Sequence, residues 1–371
     1  GIISASGNYV VEPTFYGVMG VFSEGLLCVC GEEGWGYVDE SGAYVIPPQF
    51  LSGHAFSEGV AQVSTRIERV DEFYTYNAYT YIDKSGKLLT NNVFGEAYDF
   101  SEGRALVKVG DPIYGYYGYI DTSGGFIIPP QFDEATSFAD GMAFAHDVYS
   151  NKTVLFDLDG NILAESSLYN VPGSSGHKAR WYSNLRPVTL SDGTGAVYIN
   201  PQGEIVLPKS GAPYGGASPF YSSEFALANQ NGMMGFIDLN GNWVIEPQYS
   251  ITMSSYLNEL NPVQMSNSEV IRLLDVSGNC LMEFRTDSKE RPSGDMERDP
   301  MAMARYADNG SIEQAGFMNH DGSMAIDYIF ENASDFAYDY SYARAQSGGL
   351  WGMIDKNGNW LIPARFMKFN A

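Results

Sequence analysis

The sequence predicts an all-β protein of about ten three-stranded units, each of about 39 residues, stacked in an open twisted superhelix or solenoid. Propeller-like closure is the alternative. Three observations carry this reading. A turn motif, Asp-x-x-Gly, recurs along the whole chain at a near-fixed interval. Short aromatic and β-branched runs flank its copies. A proline–aromatic element and a second tight turn then follow in constant order.

The turn comes first. Asp39 and Gly42, Asp83 and Gly86, Asp121 and Gly124, Asp238 and Gly241, and Asp355 and Gly358 frame five well-kept copies. Asp157 and Gly160, Asn200 and Gly203, Asp275 and Gly278, and Asn319 and Gly322 continue the series, and a worn copy ends at Gly7. Successive glycines from Gly7 to Gly358 lie 35 to 44 residues apart. Tyr37-Val38, Tyr81-Ile82 and Tyr119-Ile120 precede the turn, and Tyr44-Val45-Ile46, Phe126-Ile127-Ile128 and Trp243-Val244-Ile245 follow it. Such runs around a turn read as a β-hairpin. The Asp side chain is expected to hold the turn through its backbone, with Gly supplying a left-handed angle. These residues are structural on this reading.

Pro47-Pro48-Gln49-Phe50, Pro129-Pro130-Gln131-Phe132 and Glu246-Pro247-Gln248-Tyr249 come next. Proline donates nothing to a ladder, so the strand is expected to stop there or lie at an edge. A compact turn follows: Phe56-Ser57-Glu58-Gly59, Phe100-Ser101-Glu102-Gly103, Phe138-Ala139-Asp140-Gly141. It leads into a third strand. Ala61 and Val63, Ala105 and Val107, and Ala143 and Ala145 share one face at a two-residue spacing, while Gln62 suggests that the other face is sometimes wet. By the same register Val29 points inward and Cys28 and Cys30 point outward.

The linked motifs resemble those of the WG-repeat proteins, a large bacterial group. The resemblance is close at Trp35-Gly36-Tyr37-Val38-Asp39 and Trp351-Gly352-Met353-Ile354-Asp355, and covers essentially the whole chain. It implies a β-rich array without established catalytic residues, acting in binding or as a scaffold, often at the cell envelope. An extracellular or cell-surface location in a bacterium is therefore expected, with the targeting segment outside this chain.

Bulk properties narrow the function classes. The 371 residues carry a net charge of −24, which argues against nucleic acid and anionic membranes as partners. Hydrophobic residues make up 44% of the chain, ample for a core, yet no apolar run is long enough to insert into a membrane. The three cysteines set up neither a disulfide framework nor a metal site.

Departures from the period locate the candidate site. The step from compact turn to next hairpin takes 17 residues from Gly25 to Gly42 but 27 from Gly59 to Gly86 and 21 from Gly103 to Gly124. Insertions at one connection map to one edge of an array, often the binding edge. They bring Tyr74, Tyr76, Tyr79, Tyr114, Tyr116 and Tyr117, an aromatic set suited to a protein partner or a glycan. Packing between repeats is the competing explanation. Two further segments, 165–179 and 285–300, break the period and are expected to be mobile loops.

Catalytic and metal chemistry find little support. The four histidines are scattered, and no phosphate-binding loop or nucleophile elbow occurs. Asp157, Asp159 and Asn161 offer oxygen ligands for Ca²⁺ but lack a bidentate Glu nearby. The expected function is a non-catalytic scaffold that binds proteins, without cofactor. Recognition of cell-wall or other glycans is the alternative, and an unrecognised hydrolase a distant third.

Overall fold

The aromatic and β-branched runs do form strands, and the strands pair into antiparallel meanders. The computed structural model describes residues 1–4, 8–69, 75–173, 181, 183–209, 211–220, 225–252, 260–265, 269–275, 279–296, 298–337 and 341–367, and the side chains among them except those of 66–69, 251–252 and 260–265. The chain divides into two units, Gly1–Ile2 with Tyr9–Pro208 and Ile3–Asn8 with Lys209–Ala371.

In the first unit, Gly17–Ser23, Leu26–Gly31, Gly34–Val38 and Tyr44–Phe50 form a four-stranded sheet in sequence order. Ser52–Gly53, Val60–Arg69 and Thr75–Asp83 repeat the pattern, and an Ile82–Leu88 bridge supplies the fourth position. Glu96–Ala97, Arg104–Val109, Tyr116–Asp121 and Phe126–Ala135 make the next meander. The far end of Phe126–Ala135 pairs onward with Met142–Asp147, followed by Lys152–Asp157 and Ile162–Ser166. Arg186–Thr189, Ala196–Ile199 and Ile205–Leu207 come last. The second unit has the same construction. Its meanders include Glu290–Pro292, Met301–Tyr306, Ile312–Met318 and Met324–Phe330, then Asn332–Phe336, Ala343–Ser347, Leu350–Ile354 and Trp360–Phe366.

This corrects the expected open superhelix of three-stranded units. The unit is four-stranded, because the residues just before the compact turn pair with the strand after it. The second strands of these sheets are also covered on both faces. Ala61, Gln62, Val63 and Ser64 are all buried, as are Ala105, Leu106, Val107 and Lys108. A strand wetted on one face would alternate instead. Four-stranded meanders packed face to face are the blades of a β-propeller. Double burial also corrects the cysteine register: Cys28 is buried, as is Val29.

The core lies between consecutive blades. Leu26, Cys28, Tyr37 and Ile46 pack on Phe56, Ala61, Val63 and Ile82 of the next sheet. Leu106, Tyr119, Ile128 and Phe132 pack likewise on Phe138, Ala143, Ala145 and Val154. Each fully buried ring of this kind stabilises by roughly 1.5–3 kcal/mol before entropy is counted.

The prolines do not stop their strands. Tyr44–Phe50, Phe126–Ala135, Trp243–Thr252 and Trp360–Phe366 run straight through them. Trp35 pairs with Phe50 but Tyr37 pairs with Ile46, so the proline strand bulges around Pro47 and Pro48. The bulge presses its backbone on the glycine between Trp35 and Tyr37. A Cβ on Gly36 would sit 2.6 Å from the Ile46 carbonyl oxygen and 2.7 Å from the Pro48 nitrogen. Gly118 and Gly235 meet the corresponding atoms in the same way.

The two interrupted segments are not simply loops. Residues 285–300 contain the strand Glu290–Pro292, paired with Met301–Tyr306, and place Met296 in the core. In 165–179, Tyr169 and Val171 are buried against Val188 and Ile199, while 174–179 lie outside the described residues.

Candidate interaction edge

Two kinds of turn bear on the candidate site: those that lock blades together and those that project from them. The Asp-x-x-Gly turns belong to the first kind. Asp39 Oδ1 accepts hydrogen bonds from the Ser41 and Ala43 amides and the Ser41 hydroxyl, at 2.8, 3.1 and 2.6 Å. Asp83, Asp121, Asp238 and Asp355 do equivalent work. Gly42 and its counterparts at 86, 124, 241 and 358 have φ between 80° and 83°. The serine hydroxyl, more than any other contact, holds the Asp39, Asp83 and Asp121 carboxyls below the usual aspartate range. Asp157 is occupied in the same way by the Asp159 and Asn161 amides. Among the described residues, no group of three or more His, Cys, Asp or Glu is placed to hold a metal.

The compact turns form a ladder that sequence reading missed. Glu58 and Gly59 both have positive φ, 55° and 83°, and a Ser57–Val60 bridge closes the turn. This is the type I′ geometry. A long side chain at positive φ is unusual, and here the carboxylate makes use of it. Glu24 accepts from the Gly59 amide at 3.0 Å. Glu58 accepts from the Glu102 and Gly103 amides, both at 2.7 Å. Glu102 accepts from the Asp140 and Gly141 amides, both at 2.8 Å, and Asp140 from the Trp181 amide at 2.8 Å. Glu24, Glu58 and Glu102 thus each clamp the turn of the next blade. Buried tyrosines add a second tie: the Tyr37, Tyr81 and Tyr119 hydroxyls donate to the carbonyls of His54, Tyr98 and Thr136 at 2.7–2.8 Å.

The turns between the second and third strands of a blade project instead. Short ones, such as the one from Gly31 to Gly34, carry no large apolar side chain. Among the described residues, two longer ones in the first unit do. Between Val109 and Tyr116, Asp111 Oδ1 accepts from the Ile113 and Tyr114 amides, both at 2.9 Å. Lys108 Nζ donates to the Pro112 carbonyl at 2.5 Å from below. The result is a fixed platform for Ile113, Tyr114 and Tyr116, which are 57%, 75% and 38% exposed. In the next blade Asp147 Oδ1 accepts from the Tyr149 amide at 2.9 Å, and the turn shows Val148 and Tyr149, the latter 82% exposed. Each turn is an Asp cap followed by a displayed aliphatic–tyrosine pair. The register puts both on one edge, because Phe132 pairs with Tyr117 on one side and with Asp147 on the other. Two strand spacings put their roots about 10 Å apart.

The remaining sequence candidates divide. Tyr117 is buried, with its hydroxyl on Glu96 at 2.6 Å and Lys108 over its ring, so it is a support and no part of an exposed surface. Tyr76 and Tyr79 lie half-buried in the long hairpin Val60–Arg69 and Thr75–Asp83. Tyr74 lies outside the described residues. Tyr149 was not among the candidates. Its turn barely lengthens the repeat, and only the shared order of Asp, aliphatic residue and Tyr links it to the turn at Tyr114.

A model of the WG containing repeat family matches residues 1–30, 35–66, 79–111, 117–145, 234–252, 316–351 and 351–367. No curated protein matches the chain. Among solved structures, one described as the eukaryotic initiation factor is similar over 84% of this chain and 89% of its own, at 12% identity and a TM-score of 0.50. The dihydro-heme d1 dehydrogenase NirN matches over 78% and 71% of the two chains at 13% identity, with a TM-score of 0.36. Virginiamycin B lyase from Staphylococcus aureus matches over 71% and 92% at 15% identity, with a TM-score of 0.31. The first of these likenesses supports the blade fold.

Proposed function

The chain belongs to the WG containing repeat family, and on that premise we propose that it is a non-catalytic scaffold whose first unit binds a protein partner. The partner docks on the edge that carries Ile113, Tyr114, Tyr116, Val148 and Tyr149. The observation behind this reading is the pair of neighbouring turns, each fixed by an Asp cap, that hold aliphatic–tyrosine pairs out from a rigid sheet. Tyrosine suits such a surface because it buries area with few rotatable bonds and keeps a polar tip. Turns held from within lose little entropy on binding. A non-catalytic role is supported by the use of the placed acidic residues as backbone clamps. A location at or outside the bacterial cell envelope is part of the proposal, and fractionation of the source cells tests it.

The test of binding is retention of a partner from the source organism by immobilised protein. Wild type and a Tyr114→Ala/Tyr149→Ala double variant of unchanged melting temperature are compared. Loss of two interface tyrosines should weaken retention by at least about tenfold. Equal retention by both proteins contradicts the proposal.

A further inference from the structure

Beside the turn at Tyr149 lies a cavity of about 360 Å³, within the range of small-molecule clefts. Thr153 on its wall pairs with His146 on one side and Ser166 on the other, so the cavity opens at the edge described above. Its walls are polar throughout. They include His146, Asn151, Ser167, Asn170 and Asp192, with Tyr169 almost wholly buried behind them.

We propose that this cavity is a binding site for an uncharged, polyhydroxylated ligand, a sugar. Several lining groups are only half used. His146 Nδ1 lies 2.7 Å from Asp133, which leaves Nε2 for a ligand. Asp192 Oδ1 holds the Thr194 amide and hydroxyl, and its second oxygen has no partner among the described residues. The side-chain amides of Asn151 and Asn170 and the hydroxyl of Ser167 make no hydrogen bond there either. A carboxamide offers a donor and an acceptor side by side, which matches neighbouring hydroxyls on a sugar ring. No Lys or Arg lines the cavity and Asp192 does, so an anionic ligand is disfavoured. A cationic ligand would find a single carboxylate already committed to its own turn. Tyr169 is buried beneath the cavity, so the groups that meet the ligand are the polar ones.

The site is separate from the partner surface proposed above, and its test keeps the two apart. The full chain is titrated by calorimetry with glucose and with N-acetylglucosamine, and with putrescine as a cationic control. Saturable binding of at least one sugar is expected, with a Kd on the order of 1 mM for so open a site. Asn170→Ala and Ser167→Ala, both at exposed positions, should each weaken it by about threefold to tenfold. Tyr114→Ala should leave it unchanged, whatever that substitution does to partner retention. The inference is overturned if neither sugar saturates, if putrescine binds in their place, or if sugar binding survives both Asn170→Ala and Ser167→Ala.

Discussion

Single residues decide whether a blade can form. Gly36, Gly118 and Gly235 are needed because the proline bulge of the next strand lies on them, within 2.5–2.8 Å of where a Cβ would be. Gly118→Ala is therefore expected to destabilise by about 1–3 kcal/mol in urea unfolding, since only backbone could yield. A loss below a few tenths of a kcal/mol would mean that the bulge moves freely. Cys28 gives a second residue-level expectation. Burial pushes its thiol up to about 12, and it is enclosed, whereas Cys280 is exposed. In the folded protein a thiol reagent should label Cys280 quickly and Cys28 only after denaturant is added. Prompt labelling of Cys28 would show that the first two blades open readily.

At the scale of elements, stability depends on how each blade grips the next. The carboxylate of Glu58 holds two amides of the following turn while its own backbone pays a left-handed penalty. Replacement by Gln keeps that backbone cost and one acceptor, and replacement by Ala keeps the cost alone. Glu58→Ala should thus destabilise by about 1–2 kcal/mol, and Glu58→Gln by clearly less. Equal losses would remove the clamp from the account. This ladder shows why sequence reading located the turns without seeing their purpose. The recurrence of Glu before Gly was visible in Glu24, Glu58 and Glu102. That each side chain reaches a turn 35 or more residues away was not, because it depends on how sheets stack. The prolines were misread for a related reason. Pro47 lacks a donor and suggests an end, but a bulge absorbs that defect and the strand continues.

For the whole chain, the repeat and its hairpins were legible from local chemistry, whereas the fold class was not. Alternation of Ala61 and Val63 around Gln62 looked like a half-wet strand, yet Gln62 is buried under the neighbouring blade. Whether both faces are covered is a property of the assembled sheets. The candidate edge was partly legible: Tyr114 and Tyr116 came from an obvious insertion, Tyr149 from one too slight to notice, and Tyr117 turned out to be a buried support. The charge of −24 also acquires a use, since many carboxylates are turn clamps. Asp39, Asp83 and Asp121 are held below their ordinary value by serine hydroxyls. A depressed folded value stabilises above the unfolded value, about 3.9, and that contribution is lost as pH falls through the folded one. Stability should hold from neutral pH down to about 4 and decline below it. Exposure screens these groups, so the decline should be gradual. A loss centred near neutral pH would point to other groups.

The claim that matters most is that the displayed tyrosine turns are where a partner binds. A photo-cross-linking amino acid placed at position 114 or 149, with exposed Ile329 of the second unit as the comparison position, tests it directly. The account predicts a discrete cross-linked species from positions 114 and 149 in an extract of the source organism, and none from position 329. Cross-links of equal yield at all three positions, or at 329 alone, would contradict it.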